Sequence, residues 1–135
     1  MEKKKEPVTV IHQHYVYRFS LPNILGNVPE LGKEFLSELV RAIGMVAVTD
    51  PQCVYVPDDG NEGITGSINL ATSHIAFHVF DHMSKTEKHA GVRGSTVMMD
   101  VYSCKDFDPM VPVKVFSAVF GQNRIRIIYV TPIPR

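Results

Sequence analysis

One stretch in the middle of the chain concentrates side chains that can react. It runs from residue 63 to residue 78 and reads GITGSINLATSHIAFH. Thr65 and Ser73 carry hydroxyl groups, and His78 carries an imidazole that can take up or release a proton near neutral pH. Cys104 ends a later apolar segment and adds a thiol. A nucleophilic hydroxyl, a general base and a proton donor are the groups that covalent catalysis requires.

The histidines raise the alternative of a metal site. His12 and His14 would share one face of a strand, and so would His74 and His78, because side chains two and four residues apart point the same way. No cysteine or carboxylate at ligand spacing completes either pair. We therefore predict that the chain uses no metal.

The elements around these residues follow from hydrophobic periodicity and turn signals. Helical spacing of apolar residues predicts a helix over 31–43, begun by Asn27 and ended by Gly44, and a second one from Pro112 to Phe120. Strands are predicted at residues 8–19, 45–49, 53–56, 64–71, 74–80, 96–103 and 124–131. Strand pairs followed by single helices indicate an α+β fold, a two-layer sandwich with an antiparallel sheet and helices packed on one face.

Composition limits the possible environments. The 135 residues suit one domain, 1–135, with residues 1–7 as a charged, disordered tail. Fourteen basic and fourteen acidic side chains argue against a nucleic-acid partner. No apolar run approaches the roughly 20 residues that a membrane span needs, and two cysteines are too few for a secreted disulfide framework. These features predict a cytoplasmic protein that has neither a membrane nor a nucleic acid as partner.

Three separated motifs resemble the bacterial and archaeal S-adenosylmethionine decarboxylases, which are small pyruvoyl-dependent enzymes. The motifs are Ile64-Thr65-Gly66, the segment SHIAFH at 73–78, and the segment DVYSC at 100–104. Their order, and that of the elements between them, matches the family nearly from end to end. The resemblance implies a cofactor that the protein makes from its own chain.

In that family a serine attacks the preceding carbonyl, and elimination then cuts the chain and leaves a pyruvoyl group. The resemblance assigns this role to Ser73, with cleavage between Thr72 and Ser73. It makes His78 the processing base and Thr65 an auxiliary hydroxyl. The pyruvoyl carbonyl would form a Schiff base with the substrate amine and act as an electron sink, and Cys104 would return a proton after decarboxylation.

The resemblance implies a small-molecule substrate, S-adenosylmethionine, a role in polyamine (spermidine) biosynthesis, and a homodimer. The sequence departs from the family's pattern at three places that concern the substrate and the cleavage site. Thr72 replaces the family's Glu, Phe80-Asp81-His82 replaces Trp-Pro-Glu, and the segment 79–94 differs from that of the family. Two alternatives follow from them. One is the same chemistry on arginine or ornithine, and the other is an unprocessed, non-catalytic paralogue that acts as a binding subunit.

The spacing of two proposed site residues conflicts with a regular strand. Ser73 and His78 are five residues apart, which places them on opposite faces. A bulge or a turn near Ser73 is required if the two are to act together.

Overall fold

The computed structural model describes residues 12–23, 28–58, 60–81 and 94–134. The strands are β1 (Gln13–Leu21), β2 (Gln52–Val56), β3 (Gly63–Leu70), β4 (Ser73–Phe80), β5 (Ser95–Ser103) and β6 (Arg126–Pro132). The helices are α1 (Pro29–Ala42) and α2 (Val111–Phe120). None of the helices in these ranges is long and apolar enough to cross a membrane.

The six strands form one antiparallel sheet in the order β2-β3-β4-β5-β1-β6. Buried and exposed residues alternate along β4 and β5, as expected of a sheet with one covered face. The helices cover the inner face, and the outer face is half-buried or exposed in the described residues. The predicted α+β two-layer sandwich is confirmed.

Aromatic rings form the centre of the core between sheet and helices. Phe35 of α1 meets Phe77 of β4 and Phe116 of α2 edge to face, with ring centroids 5.1 and 5.2 Å apart. Phe19 of β1 contacts Phe116 in the same way at 5.1 Å. Because these rings come from both layers, they fix the helices against the strands that carry the reactive residues.

The strand predicted at residues 45–49 is wrong. Only an isolated bridge between Ala47 and Leu70 forms there, although the segment is β-branched and apolar. Val46 and Val48 are exposed at this edge, so local strand propensity is present but the ladder is not. The α1 N-cap position falls on Val28, and Asn27 lies outside the described residues.

The other helix boundaries follow their turn residues closely. Gly44 and Gly121 both have positive φ, at 69° and 65°, where each helix ends. Pro112 lies in the first turn of α2, where its missing N–H costs no helical hydrogen bond. Strand β6 shifts register against β1 between Arg18 and Phe19, which interrupts the regular pairing of the last strand.

Candidate active site

Ser73 is the first residue of β4 and follows a two-residue turn after β3. Leu70 and Ser73 are register partners, so Ala71 and Thr72 alone make the connection. The Ser73 side chain is buried and points to the inner face, and its Oγ accepts a hydrogen bond from the Cys104 backbone N–H at 3.0 Å. This bond spans 31 residues of sequence and holds the hydroxyl at the end of two neighbouring strands.

Thr72 has an unusual backbone conformation at this turn. Its φ is +67°, and it is the only non-glycine residue with positive φ in the described part of the chain. A β-branched residue in the left-handed region is strained, because its side chain crowds the backbone. The strain therefore falls on the residue whose carbonyl precedes Ser73.

Cys104 lies beside the same turn, directly after β5. Its Sγ is 4.0 Å from the Ala71 carbonyl oxygen, and its side chain is partly exposed. Hydrogen bonds with two hydroxyls lower the pKa of the Cys104 thiol, and the bond with Thr72 has a larger effect than the bond with Ser73. The other cysteine differs: Cys53 is buried in the core, and burial raises its pKa to about 11. We call Thr72, Ser73 and Cys104 the Ser73 group.

Thr65 and His78 form a second constellation. They are direct register partners on β3 and β4, and the Thr65 Oγ1 lies 2.9 Å from His78 Nδ1. Both project from the outer face, where the His78 ring also stacks on Phe80 with centroids 5.8 Å apart. Although its edge is exposed, the protein surface beneath partly desolvates the ring and lowers the pKa of His78. A neutral imidazole paired with a hydroxyl can serve as a proton acceptor.

The two constellations do not meet within one chain. Strand β4 is continuous and has no register shift against β3 or β5, so no bulge reorients it. Ser73 faces inward and His78 outward, and five residues of strand separate them by roughly 16 Å. The turn lies before Ser73 and β4 has no bulge, so neither of the features that cooperation in one chain requires lies between Ser73 and His78.

A shallow depression of about 280 Å³ lies on the outer face beside His78. It is largely apolar, and its lining includes Val16, Met98 and Tyr129. Arg18 has Met98 and Tyr129 as its register partners on the two flanking strands. The Arg18 Nε is buried and has no hydrogen-bond partner among the described residues.

Sequence reasoning missed one polar cluster on this face. Asp100 lies within hydrogen-bond distance of both His14 and His74, which come from different strands. These three residues are 26 and 86 positions apart in the chain, so no local spacing reveals them. Most of the altered segment 79–94, namely residues 82–93, lies outside the described residues.

The structure thus defines a class: a two-layer α+β sandwich that carries a serine and a cysteine beside a strained hairpin turn. Comparison with known proteins identifies the family within this class. The family model for S-adenosylmethionine decarboxylase matches residues 16–131, and the chain belongs to this family. Membership implies decarboxylase chemistry.

Among solved structures, the adenosylmethionine decarboxylase from Aquifex aeolicus VF5 is similar in fold. The TM-score is 0.57 and the sequence identity 19%, over 92% of this chain and 91% of that chain. The comparison with curated proteins gives no match.

Proposed function

We propose that the protein is a self-processing, pyruvoyl-dependent decarboxylase of S-adenosylmethionine that serves polyamine (spermidine) synthesis. The observation that carries the proposal is the Ser73 group. A buried serine hydroxyl, held by the Cys104 N–H, directly follows a strained Thr72 in a tight hairpin turn. The residues present therefore fit a pyruvoyl group formed at position 73.

Self-cleavage starts when the Ser73 Oγ attacks the Thr72 carbonyl carbon. The Thr72–Ser73 amide bond breaks, the Ser73 nitrogen takes a proton, and an ester links the two residues. A base then removes the Ser73 α-proton, and the Cβ–O bond breaks to release Thr72 as a carboxylate. Hydrolysis of the remaining dehydroalanine consumes one water and releases one ammonia, which leaves a pyruvoyl group on residue 73.

Two features of the turn favour the first step. The positive φ of Thr72 raises the energy of the intact peptide, by about 1–2 kcal/mol for an L-residue in this region. The Cys104 N–H stabilises negative charge that develops on the Ser73 Oγ as its proton leaves. The positive φ and the hydrogen bond are both present in the uncleaved chain.

Cys104 is the proposed proton donor of the decarboxylation. When formed, the pyruvoyl group supplies an electron sink for the bond that breaks as carbon dioxide leaves. The Cys104 thiol lies against the same turn and is partly exposed, so it can deliver a proton to a ligand bound at residue 73.

We further propose that Thr65 and His78 act on the Ser73 group of a second copy in a homodimer. The roughly 16 Å between Ser73 and His78 in one chain excludes direct proton transfer between them. The outer face offers a surface for a second copy: it holds the apolar depression and the buried, unpartnered Arg18 Nε. The two constellations meet if the turn at the end of β4, which carries the Ser73 group of one copy, lies against this face of the other copy.

Intact mass spectrometry of the purified full chain tests self-processing. We expect fragments of 72 and 63 residues (135 − 72 = 63), the second one lighter by one ammonia than a serine-initiated fragment. The Ser73→Ala chain should stay whole. A wild-type chain that stays whole like the mutant contradicts the proposal and favours the non-catalytic paralogue.

Mixing two inactive variants tests the shared site. The Ser73→Ala chain lacks the nucleophile, and the His78→Ala chain lacks the base, so neither should cleave alone. In a mixed dimer the first chain supplies Thr65 and His78 to the second, and the His78→Ala chain should then be cut. If His78→Ala cleaves unaided, or if mixing restores nothing, the proposed contribution of the second copy is wrong.

Carbon dioxide release identifies the substrate. S-adenosylmethionine, arginine and ornithine are offered separately to the cleaved protein, with Cys104→Ala as the matched variant. We expect release from S-adenosylmethionine, and much slower turnover after Cys104→Ala with cleavage retained. Release from arginine or ornithine instead would support pyruvoyl-dependent decarboxylation but show that S-adenosylmethionine is not the substrate.

A further inference from the structure

The outer face of the sheet carries a cluster of two imidazoles and one carboxylate outside the Ser73 group. His14 comes from β1, His74 from β4 and Asp100 from β5. The His14 Nε2 lies 2.9 Å from both carboxylate oxygens of Asp100, and the His74 Nε2 lies 3.1 Å from the Asp100 Oδ1. Both imidazoles thus aim the same ring nitrogen at one carboxylate.

Strand register explains why these residues converge. Strand β5 lies between β1 and β4, and both His14 and His74 have Tyr102 as their register partner. Asp100 is two residues before Tyr102 on the same face, so its carboxylate lies between the two imidazoles. The Tyr102 ring stacks on His74 at 5.7 Å and meets His14 edge-on at 5.5 Å, which restricts both rings.

We propose that His14, His74 and Asp100 form a binding site for one divalent first-row transition ion such as Zn²⁺ or Co²⁺. This inference is independent of the proposed decarboxylase function. It revises the expectation of no metal, which was based on histidine pairs along single strands and on the lack of a nearby carboxylate. The third ligand is supplied across the sheet.

The distances between the donor atoms suit such an ion. Zinc binds imidazole nitrogen and carboxylate oxygen at about 2.0–2.2 Å, so neighbouring ligand atoms of a tetrahedral site are about 3.3 Å apart. The observed nitrogen–oxygen separations of 2.9 and 3.1 Å need to open by only a few tenths of an ångström. All three donor atoms lie within 4.8 Å of one another.

Donor chemistry selects the class of ion. Imidazole nitrogen suits zinc, cobalt, nickel and copper, whereas magnesium and calcium prefer oxygen ligands alone. The three side chains are also partly open to solvent, with 28% of His14, 48% of His74 and 38% of Asp100 exposed. In the single chain the site therefore has access for an ion and room for water to complete its coordination.

A hydrogen-bonded triad is the competing explanation. Two imidazole N–H groups donating to one carboxylate would give the same separations without any ion. The two explanations differ in solution, because only a metal site binds an ion saturably at one per chain. That stoichiometry is the measurement that decides between them.

The test uses the full-length Ser73→Ala chain, which keeps the molecule in one piece whether or not the wild type cleaves itself. Cobalt chloride is titrated while visible absorption is followed, and zinc chloride is titrated by calorimetry. We expect one ion per chain, Co²⁺ absorption bands that Zn²⁺ abolishes by competition, and no displacement by a large excess of Mg²⁺. The apparent Tm should rise as Zn²⁺ is added.

Variants locate the site. His74→Ala and Asp100→Asn should each weaken binding at least tenfold, and His78→Ala is the matched control because it removes one histidine from the same strand and face. Since Asp100→Asn keeps size and shape, it remains informative if His74→Ala fails to fold. Lack of saturable binding, or binding that survives Asp100→Asn unchanged, would overturn the proposal and leave a hydrogen-bonded triad.

Discussion

Thr72 holds a backbone conformation that threonine adopts with difficulty, and it does so beside the bond proposed to break. With a φ of +67°, its side chain crowds the backbone where a glycine would not. Such strain persists only where the surrounding structure enforces it, and here the β3–β4 ladder on both sides of a two-residue turn does so. The family resemblance marks the same position as a departure, since Thr72 stands where Glu is usual.

Replacing Thr72 with Gly should relieve this strain. In the uncleaved Ser73→Ala background we expect Thr72→Gly to stabilise the fold by about 0.5–1 kcal/mol, because the gain exceeds the added flexibility of glycine. In the Ser73 chain the same change should slow self-cleavage about fivefold, since about 1 kcal/mol of ground-state strain is lost. Thermal unfolding and the rate of fragment appearance measure the two effects.

Ala71→Gly provides the control, because Ala71 is the other turn residue and its φ is not positive. It should be neutral or destabilising. If Thr72→Gly is no more stable than Ala71→Gly, strain at Thr72 does not contribute to the turn.

The two cysteines should differ in reactivity. The thiolate is the form that alkylates, and the pKa of Cys104 is lowered while burial raises that of Cys53 to about 11. In the uncleaved Ser73→Ala chain, which keeps the Thr72 hydroxyl, alkylation of Cys104 should therefore set in below the pH range of an ordinary thiol as pH rises, and Cys53 should stay unreactive while the chain is folded. Iodoacetamide labelling followed by peptide mass spectrometry over a pH series measures both.

Thr72 is the largest cause of the lowered Cys104 pKa, so Thr72→Val should move the onset of labelling to higher pH. Both chains carry Ser73→Ala so that they remain intact. An onset that does not move would show that the Thr72 hydroxyl does not stabilise the thiolate.

Helix α1 approaches the sheet closely enough that its glycine is required. A Cβ built on Gly32 would lie 2.3 Å from the Cys53 Sγ and 3.1 Å from the Phe77 ring. This contact lets α1 lie directly over β2, while Phe35 one turn later fills the space between sheet and α2. The close packing of α1 thus determines which face of the sheet is covered by helices. The polar clusters lie on the other, outer face.

Gly32→Ala should destabilise the protein by about 1–3 kcal/mol, the usual cost of overpacking a core. Cys53→Ala removes the closest atom, so the double variant should recover part of the loss and give a favourable interaction energy. Chemical denaturation of the two single variants and the double variant in the Ser73→Ala background measures this coupling. Strict additivity would contradict the predicted contact.

Cleavage at residue 72 would leave two fragments that are woven into one sheet. The first contains β1, α1, β2 and β3, and the second contains β4, β5, α2 and β6. In the sheet, β1 lies between β5 and β6, and β3 pairs with β4, so three ladders join the fragments. The fragments cannot part without breaking these ladders and dividing the core.

Cleaved protein should therefore elute as one species on size exclusion under native conditions and separate only in denaturant. Refolding of the cleaved form should slow on dilution, because two separate fragments must associate before they can fold. The uncleaved Ser73→Ala chain should refold at a rate that does not depend on concentration, provided that the concentrations compared are high enough to saturate any dimerisation. Separation of the fragments in native buffer would contradict the interleaved arrangement.

At the scale of the molecule, the predictability of the fold depended on the range of the interactions. Periodicity and turn residues located α1 and α2, and strand propensity located β3 and β4, because those signals act between neighbours in the chain. They failed at residues 45–49, where propensity favoured a strand but only one bridge formed. They also missed the register shift of β6, which arises from its pairing with β1.

The sequence by itself determined the fold class, the family motifs and the opposite facing of Ser73 and His78, since each follows from local periodicity or residue identity. Tertiary structure alone decided the strained φ of Thr72 and two contacts between distant segments, the Cys104 N–H on Ser73 and Asp100 between His14 and His74. Strand order and register bring these residues together, and both depend on how the whole chain buries its apolar surface. A pattern read along one strand contains neither.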